Sequence, residues 1–288
     1  YRYYLPLMPF AIETFDLKEY DLILSSSHCV AKSVKPGPSS MHICYCHTPM
    51  RYIWDQFDQY FGKGKSSWFA ATAMKFIRGW LQRWDVKTSR RVNHFIANSR
   101  HVQKRIKKYY KQEATIIHPP VDTGLFTPDT NEKKENYFLI VSAFAPYKRL
   151  DLAVNAFNQL NLPFFVIGEG QDAKRLKEMA KPNIHFEGWL DNSEIRSHFA
   201  RCRAFIFCGE EDFGITLLEA QAMGRPVIAL GRGGALETVV PDSQSWKPET
   251  GIDKIATSQP TGVFFYEQTP EALIKAIQHF KSIESQFD

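Results

Sequence analysis

The stretch EEDFGITLLEAQAMGRPVIALG, residues 210–231, is the most informative part of the sequence for the fold. An acidic turn leads into a segment of helical spacing, which stops at Gly224, and Pro226 then opens a short apolar run typical of a buried strand. Two carboxylates, Glu211 and Glu219, stand in this passage with seven residues between them. Spacing alone leaves a plain interpretation open, in which one acid begins a helix and the other lies on its surface.

The same alternation of apolar runs and helical segments extends through the second half of the chain. It runs from YFLIVSAF (137–144) to PEALIKAIQHFKSI (270–283). Such alternation predicts an α/β fold, in which helices cover both faces of a parallel sheet. Ligands are then expected in the turns at the carboxyl ends of the strands.

The first half is less regular, but it also contains apolar runs and two basic helical segments. The polar segment TPDTNEKKE (127–135) has no periodicity, so we predict a linker there between a first domain, 1–130, and a second domain, 136–288. Strands are predicted near 20–27, 41–49, 93–99 and 114–121, and helices at 68–92 and 101–111.

Composition limits the class of protein. The chain has 288 residues, 44% of them hydrophobic, which is enough for two globular domains. No run approaches the 18 apolar residues of a membrane span. Five cysteines lie in apolar runs, which favours buried thiols in a reducing, cytoplasmic compartment over disulfides. The run HICYCH (42–47) alternates like a strand and has no second Cys/His pair at zinc spacing, so we do not predict a metal site there.

Charge is distributed unevenly along the chain. The first 130 residues carry 19 Lys and Arg against 10 Asp and Glu, a net of +9, whereas the remainder carries 17 against 21, a net of −4. A basic first domain is consistent with an anionic partner, and equally with a solvated basic surface. No nucleic-acid-binding module is recognisable, so nucleic acid is not a predicted partner.

Several stretches occur in one order and together resemble family four of the retaining glycosyltransferases, which have the GT-B architecture. YCHTPMRYIWD (45–55) is similar to the subgroup that makes O-antigen and related polysaccharides, including mannosyltransferases. The resemblance implies two Rossmann-like domains that face each other across a cleft. The other matching stretches are ANS (97–99), HPPVDTGLF (118–126), SAFAPYKRLDLAVNAF (142–157), IGEGQDAKRL (167–176), FEGWL (186–190) and GGALETV (233–239), together with residues 210–229.

The resemblance gives the two acids of the opening stretch distinct roles. It places Glu211 at the transferred sugar and Glu219 on the nucleotide ribose, where carboxylates accept hydrogen bonds from neighbouring hydroxyls. Between them, the segment Phe213-Gly214-Ile215-Thr216 would open a helix whose N–H groups point at the donor diphosphate. Gly214 would allow the backbone to approach closely, because it has no Cβ.

The resemblance also implies a basic clamp on the diphosphate. Lys148 stands where the family uses a lysine to stabilise the charge of the leaving group. The arginine usually found about five residues earlier is replaced by Ala143. Arg149 is the substitute that the sequence offers, although it is equally compatible with a solvated residue at a helix start.

Further site residues follow from the same resemblance. His47, at a strand end, corresponds to a histidine near the donor sugar and phosphate, although a packed strand-end histidine would look the same. Gly168 and Gly170 end a strand near the expected position of the base, where an ordinary turn is the alternative. Gly233 and Gly234 belong to a GG-x-x-E element, whose Glu237 is also compatible with a surface helix.

The sequence predicts transfer without a metal ion or other cofactor. It contains no Asp-x-Asp motif, which metal-dependent transferases use to hold the diphosphate. No residue stands out as a covalent nucleophile. Retention in the family is commonly ascribed to front-face attack, in which the departing phosphate accepts the acceptor's proton, so that Glu211 orients and stabilises.

We therefore expect a retaining, metal-independent glycosyltransferase that moves a hexose, mannose, from a nucleotide-diphosphate sugar, with GDP-mannose favoured over a UDP-sugar. The acceptor would be a glycan or a polyprenyl-diphosphate-linked sugar at the inner face of a membrane. The basic segments 68–92 and 101–111 would contact anionic lipid there, unless they pack on their own sheet with basic faces in water.

The sequence is also compatible with two alternative functions, and it predicts that the first domain is incomplete. Ala143 is compatible with an inactive, sugar-nucleotide-binding partner subunit, and a sugar-nucleotide epimerase of the same architecture is a more distant hypothesis. From the resemblance we expect the strand and glycine-rich turn that open family members to precede Tyr1, and the last family helix to continue past Asp288. We therefore expect an incomplete first domain.

Overall fold

A computed structural model describes residues 2–57, 68–128, 132–247 and 259–287. The chain folds into two compact units, Tyr1–Pro119 and Pro120–Asp288. The predicted linker, 127–135, starts later than this division, and residues 129–131 of it lie outside the described residues. Phe126 is buried in the core of the second unit, so the segment just before the predicted linker already packs with that unit.

The first unit is built on a parallel sheet of four strands. The strands lie side by side in chain order, and helices connect the second strand to the third and the third to the fourth. The strands and both basic helices predicted for this part of the chain are present. They are β1 (Leu22–Ser27), β2 (Met41–Cys46), β3 (His94–Ala97) and β4 (Ala114–Ile116), with helices α1 (Met8–Ile12), α2 (Trp68–Ser89) and α3 (Arg100–Tyr110).

Helix α3 shows how sequence spacing builds the core of this unit. Val102, Ile106 and Tyr110 recur every four residues, so they share one face of the helix and pack in one cluster with Phe95 of β3. The helix begins at a side-chain cap, because the Ser99 hydroxyl accepts a hydrogen bond from the Val102 N–H at 3.0 Å.

The second unit contains a parallel sheet of six strands in the order β10-β9-β8-β5-β6-β7. The strands are β5 (Phe138–Val141), β6 (Phe164–Ile167), β7 (Ile184–Gly188), β8 (Ala204–Phe207), β9 (Val227–Leu230) and β10 (Gly262–Phe265). The helices are α4 (Leu150–Leu160), α5 (Ala173–Met179), α6 (Asn192–Arg201), α7 (Ile215–Ala222), α8 (Ala235–Thr238) and α9 (Pro270–Ile283).

Strand order creates a reversal point in this sheet. The chain enters at β5, runs outward through β6 and β7, returns to place β8 on the other side of β5, and continues outward through β9 and β10. The turns that follow β5 and β8 therefore lead away in opposite directions. A crevice at the carboxyl ends of two such strands is the usual ligand site of open α/β sheets.

Hydrophobic layers cover both faces of the six-stranded sheet, as predicted. Phe138 and Ile140 of β5 pack in one cluster with residues of α4 and α9, whereas Leu139 packs in a second cluster with residues of α6 and α7. This alternation is the period of two expected for a strand buried on both sides. Phe157 of α4 and Phe164 of β6 stack with ring centroids 4.0 Å apart.

Helix α6 is capped by an aspartate rather than by the nearby Ser193. The helix α6 begins at Asn192, and Asp191 is its N-cap. The Asp191 carboxylate accepts hydrogen bonds from the N–H groups of Ser193 and Glu194, and the Glu194 carboxylate accepts one from the Asp191 N–H. This reciprocal capping box satisfies the N–H groups of Asp191, Ser193 and Glu194.

Candidate functional site

The centre of the candidate site is an ion pair at the reversal point of the six-stranded sheet. Lys148 lies in the turn after β5, and Glu211 lies in the turn after β8. The Lys148 ammonium contacts the Glu211 carboxylate directly, and the two side chains are 16% and 20% exposed. A Cβ at Gly209 would lie 3.1 Å from Lys148 Cα, so the glycine allows the two turns to run close together.

A glycine pair after β9 holds the Glu211 turn in place. The Gly234 N–H donates a hydrogen bond of 2.8 Å to the Glu211 carbonyl. A Cβ at Gly233 would lie 2.3 Å from that carbonyl oxygen, and one at Gly234 would lie 2.3 Å from Phe213 Cα. The structure thus places Gly233 and Gly234 against the backbone that carries Glu211, while their predicted contact with a donor stays a prediction.

Helix α7 begins beside the ion pair. Gly214 precedes it with φ +83°, a left-handed conformation that disfavours residues with a Cβ. Phe213, the residue before this glycine, is buried and 7% exposed. Ile215 and Thr216 form the first turn of the helix, so their N–H groups belong to the set that the helix itself leaves without partners.

A cavity of about 420 Å³ opens at this point of the sheet. Five predicted site residues line it together: Lys148, Gly168, Glu211, Ile215 and Thr216. The cavity is also lined by residues to which the sequence analysis assigned no role, and these are Val141, Ser142, Ile167, Glu169, Trp189, Leu190 and Ile195. Ala143 lines it too, with a methyl group where the resemblance implies an arginine.

The Gly168–Gly170 turn brings the end of β6 against its neighbours. The Gly168 N–H donates to the Gly188 carbonyl at 2.7 Å, and a Cβ at Gly168 would lie 2.0 Å from the Ser142 carbonyl oxygen. A Cβ at Gly170 would lie 2.6 Å from the Phe144 carbonyl oxygen. Both glycines are therefore required for the close packing of these backbone segments. Their predicted position near the nucleotide base stays a prediction.

Two further predicted residues stand beside the cavity rather than in its lining. Arg149 has a left-handed backbone (φ +55°), and its guanidinium pairs with Asp151 at 3.1 Å. Glu219, on α7, is half-buried, and this burial raises the pKa of its carboxyl group above the ordinary value of 4.5. A carboxyl group that is half-buried has lost hydrogen bonds to water, and the hydroxyl groups of a ligand can replace them. Glu219 is therefore suited to a diol ligand.

His47 lies in the first unit, immediately after β2, as predicted. Its Nε2 atom is 2.8 Å from the Ser26 hydroxyl, and its ring meets the Tyr45 ring edge-on with centroids 5.1 Å apart. The Asn98 amide donates to the His47 carbonyl at 3.2 Å, which fixes the backbone of the turn. Contact with a sugar or phosphate stays a prediction.

Metal ligands, cysteines and membrane-spanning helices can also be assessed in the described residues. No group of three His, Cys, Asp or Glu side chains in these ranges is arranged to hold a metal ion. All five cysteines are free thiols. No helix within the described part of the chain combines the length and hydropathy needed to cross a membrane.

Sequence comparisons connect this geometry with known proteins. The profile of the family described as Glycosyl transferases group 1 matches residues 125–286, and that of Glycosyltransferase Family 4 matches residues 1–125. The chain is 30% identical over 170 residues to O-antigen chain mannosyltransferase C of Escherichia coli, a match that covers 53% of this chain and 43% of that protein.

A second relative is the GDP-mannose-dependent monoacylated alpha-(1-6)-phosphatidylinositol monomannoside mannosyltransferase of Corynebacterium glutamicum. The two are 28% identical over 188 residues, which cover 55% of this chain and 49% of the relative. The chain thus spans about half the length, or less, of both relatives.

Solved structures show the same fold. Sucrose-phosphate synthase of Thermosynechococcus elongatus superposes with a TM-score of 0.68 at 17% identity, covering 93% of this chain and 66% of that one. Anabaena HepE, in complex with UDP and glucose, superposes with a TM-score of 0.59 at 14% identity, covering 99% and 88%. These likenesses confirm the predicted α/β, two-domain GT-B fold.

Proposed function

The chain belongs to the family of group 1 glycosyl transferases, and from this premise we propose that it moves a hexose, mannose, from a nucleotide-diphosphate sugar to a glycan or lipid-linked acceptor. The observation that carries the proposal is the Lys148–Glu211 pair, which lines a cavity at the reversal point of the sheet together with the first turn of α7. A diphosphate and the sugar attached to it need this combination of a cation, N–H donors and a hydroxyl acceptor.

In the proposed reaction, Lys148 stabilises the negative charge that develops on the leaving diphosphate as the bond to the sugar breaks. The N-terminus of α7 adds N–H donors and its positive dipole end at the same place. Glu211 exchanges its lysine partner for sugar hydroxyls and orients the ring. The acceptor hydroxyl attacks the anomeric carbon from the face that the phosphate leaves and gives its proton to that phosphate, so the anomeric configuration is retained without a covalent intermediate.

We propose GDP-mannose as the donor and no metal requirement. Support for mannose comes from the names of the two relatives, one an O-antigen chain mannosyltransferase and the other GDP-mannose-dependent. Metal independence is supported by Lys148 and the α7 terminus, which neutralise phosphate charge by themselves, and by the lack of an Asp-x-Asp motif. Glu219 would accept hydrogen bonds from the ribose, and His47 would donate to the sugar or phosphate.

A second candidate function is supported by Ala143. This residue puts a methyl group in the cavity where the resemblance implies a second basic side chain. A clamp with one fewer cation binds the donor but stabilises the transition state less. The alternative is therefore a donor-binding, catalytically inactive partner subunit.

The proposal includes contact with an anionic membrane at the cytoplasmic face, where a lipid-linked acceptor would be found. On α2, Phe76 is 84% exposed and Trp80 is 38% exposed, beside the exposed cations Lys75 and Arg83. Aromatic and basic side chains on one helix suit a lipid headgroup region. The fraction of protein that sediments with phosphatidylglycerol vesicles should be lower for the double variant Phe76→Ala/Trp80→Ala than for wild type. An unchanged fraction would contradict this contact.

Proton NMR of the sugar released from GDP-α-mannose tests the reaction itself. In the presence of EDTA, with water as acceptor, the wild-type chain should release α-mannose first, and Lys148→Ala should slow release by about 10²–10³-fold. Initial β-mannose would exclude retention, and loss of activity in EDTA would exclude metal independence. GDP-mannose binding without any turnover would favour the inactive subunit.

A further inference from the structure

The cavity extends across the carboxyl ends of four neighbouring strands. Glu211 follows β8, Lys148 follows β5, Glu169 follows β6 and Trp189 follows β7, and these strands lie side by side in that order. Three interstrand spacings separate the first strand from the last, which amounts to about 14 Å. A site of this length accommodates an extended nucleoside diphosphate, with its two ends at opposite ends of the row.

The two ends of the row differ in chemistry. The β8–β5 end carries the lysine, Glu211 and the first turn of α7, all suited to phosphate and sugar. The β7 end carries apolar side chains, with Leu190 and Ile195 beside Trp189. Trp189 is 72% exposed, and it is the one aromatic side chain among the described residues lining this cavity. A flat, amphipathic ring at the rim of a binding site is suited to stacking on a nucleobase.

The carboxylate of Glu169 lies near the same end. Its Oε1 atom is 3.8 Å from the position that a Cβ on Gly188 would take, so it stands over the turn that leads into Trp189. The Phe144 N–H donates to the Glu169 carbonyl at 2.7 Å, which anchors this residue's backbone. The side chain is exposed, so it is able to meet a ligand.

Hydrogen-bond chemistry indicates which base such a carboxylate selects. An ionised carboxylate only accepts hydrogen bonds, and its two oxygens match two parallel donors. Guanine presents an N–H and an amino group side by side on one edge. Uracil presents a single N–H between two carbonyl oxygens, which a carboxylate repels, and adenine presents an amino group without an adjacent ring N–H.

We propose that Trp189 stacks on the base of the donor nucleotide and that Glu169 selects guanine by accepting both donors of its edge. This inference rests on the proposed function, because it takes the phosphate end of the row as given. It assigns base selection to two residues that do not touch the reacting atoms.

Calorimetric titration of GDP and UDP into the 288-residue chain tests the assignment. Wild type should prefer GDP. Glu169→Gln replaces one acceptor oxygen with an amino group, so GDP affinity should fall about tenfold or more while UDP affinity changes less than about twofold. Trp189→Ala should weaken both nucleotides to a similar degree, because stacking does not depend on base identity. Glu178→Gln, an exposed acid on α5 outside the cavity lining, is the matched control.

Fluorescence provides an independent readout of stacking. The tryptophan emission of wild type minus that of Trp189→Phe is the signal of Trp189. GDP should quench this signal. The inference is overturned if Glu169→Gln weakens GDP and UDP equally, if UDP binds better than GDP, or if Trp189→Ala leaves both affinities unchanged. If neither nucleotide binds wild type, the proposed function fails together with the inference, whereas GDP binding that is indifferent to both substitutions overturns the inference alone.

Discussion

Two lysine–carboxylate pairs, one in each unit, show how the same chemistry serves different ends. In the first unit, Lys32 and Asp85 pair at 3.0 Å with side chains 1% and 0% exposed. The Asp85 carboxylate also accepts from Trp54 at 2.9 Å and Tyr110 at 3.0 Å, and the Lys32 ammonium also donates to the Thr88 hydroxyl at 3.3 Å. Most of the hydrogen-bonding capacity of this pair is used within the protein.

In the second unit, Lys148 and Glu211 are 16% and 20% exposed and both line the cavity. Water and ligands reach this pair, and exchanging one partner for a phosphate or hydroxyl costs little desolvation. A buried pair whose partners lie within the protein is costly to break, whereas a pair that borders a cavity is available for binding. The degree of burial and the number of internal partners, rather than the residue types, separate the two roles.

The largest expected effect comes from breaking the buried pair. Lys32→Met leaves the Asp85 carboxylate buried without its cation, and the free energy of unfolding should fall by about 3–5 kcal/mol. Urea denaturation followed by circular dichroism measures this loss. The double variant Lys32→Met/Asp85→Asn keeps an acceptor for Trp54 and Tyr110 and should recover most of it. A single variant as stable as wild type would show that the pair is not structural.

A much smaller effect on stability is expected at the open pair. Lys148→Ala should change the free energy of unfolding by less than about 1 kcal/mol, because both side chains border the cavity and water that enters it can hydrate Glu211 when the lysine is removed. The matched control is Lys174→Ala, which removes an exposed ion pair to Glu178 on α5, outside the cavity lining. A loss at Lys148 as large as that for Lys32→Met would erase the distinction between the two pairs.

The smallest effect is a change in pH dependence through Glu219, an acid on α7. Burial raises the pKa of this carboxyl group above 4.5, so folding favours its protonated form. Its contribution to stability is complete below 4.5 and is lost as pH rises through the raised pKa. Binding a ribose favours the ionised form, so GDP-mannose affinity should increase over the same range. Glu219→Gln should flatten both profiles, and unchanged profiles would contradict the role of Glu219.

The sequence was sufficient to predict the parts of this comparison that depend on local pattern. The alternation of apolar runs and helices predicted the parallel sheets, and the opening stretch identified Glu211 at a strand end. The contact between Glu211 and Lys148 depends on β8 lying beside β5, which periodicity does not specify. The resemblance placed both residues in one site before that strand order was known.

Other features required the structure because they join residues far apart in the chain. Lys32 and Asp85 are more than fifty positions apart and belong to segments whose composition does not mark them as partners. Trp189 belongs to the matching stretch FEGWL, but its exposure at the cavity depends on β7 lying beside β6, which the sequence does not specify. Asp191 and Ser193 are both residue types that cap helices, and only the structure shows that Asp191 is the N-cap of α6.

The most direct test of the central claim is calorimetric titration of GDP-mannose, with EDTA present, into wild type and Lys148→Ala. We expect one site per chain with micromolar affinity for wild type, and at least about tenfold weaker binding when the cation is removed. UDP-glucose and UDP-N-acetylglucosamine should bind more weakly than GDP-mannose. Absence of binding to wild type, or equal affinities for the two proteins, would contradict the assignment of the open pair as the donor site.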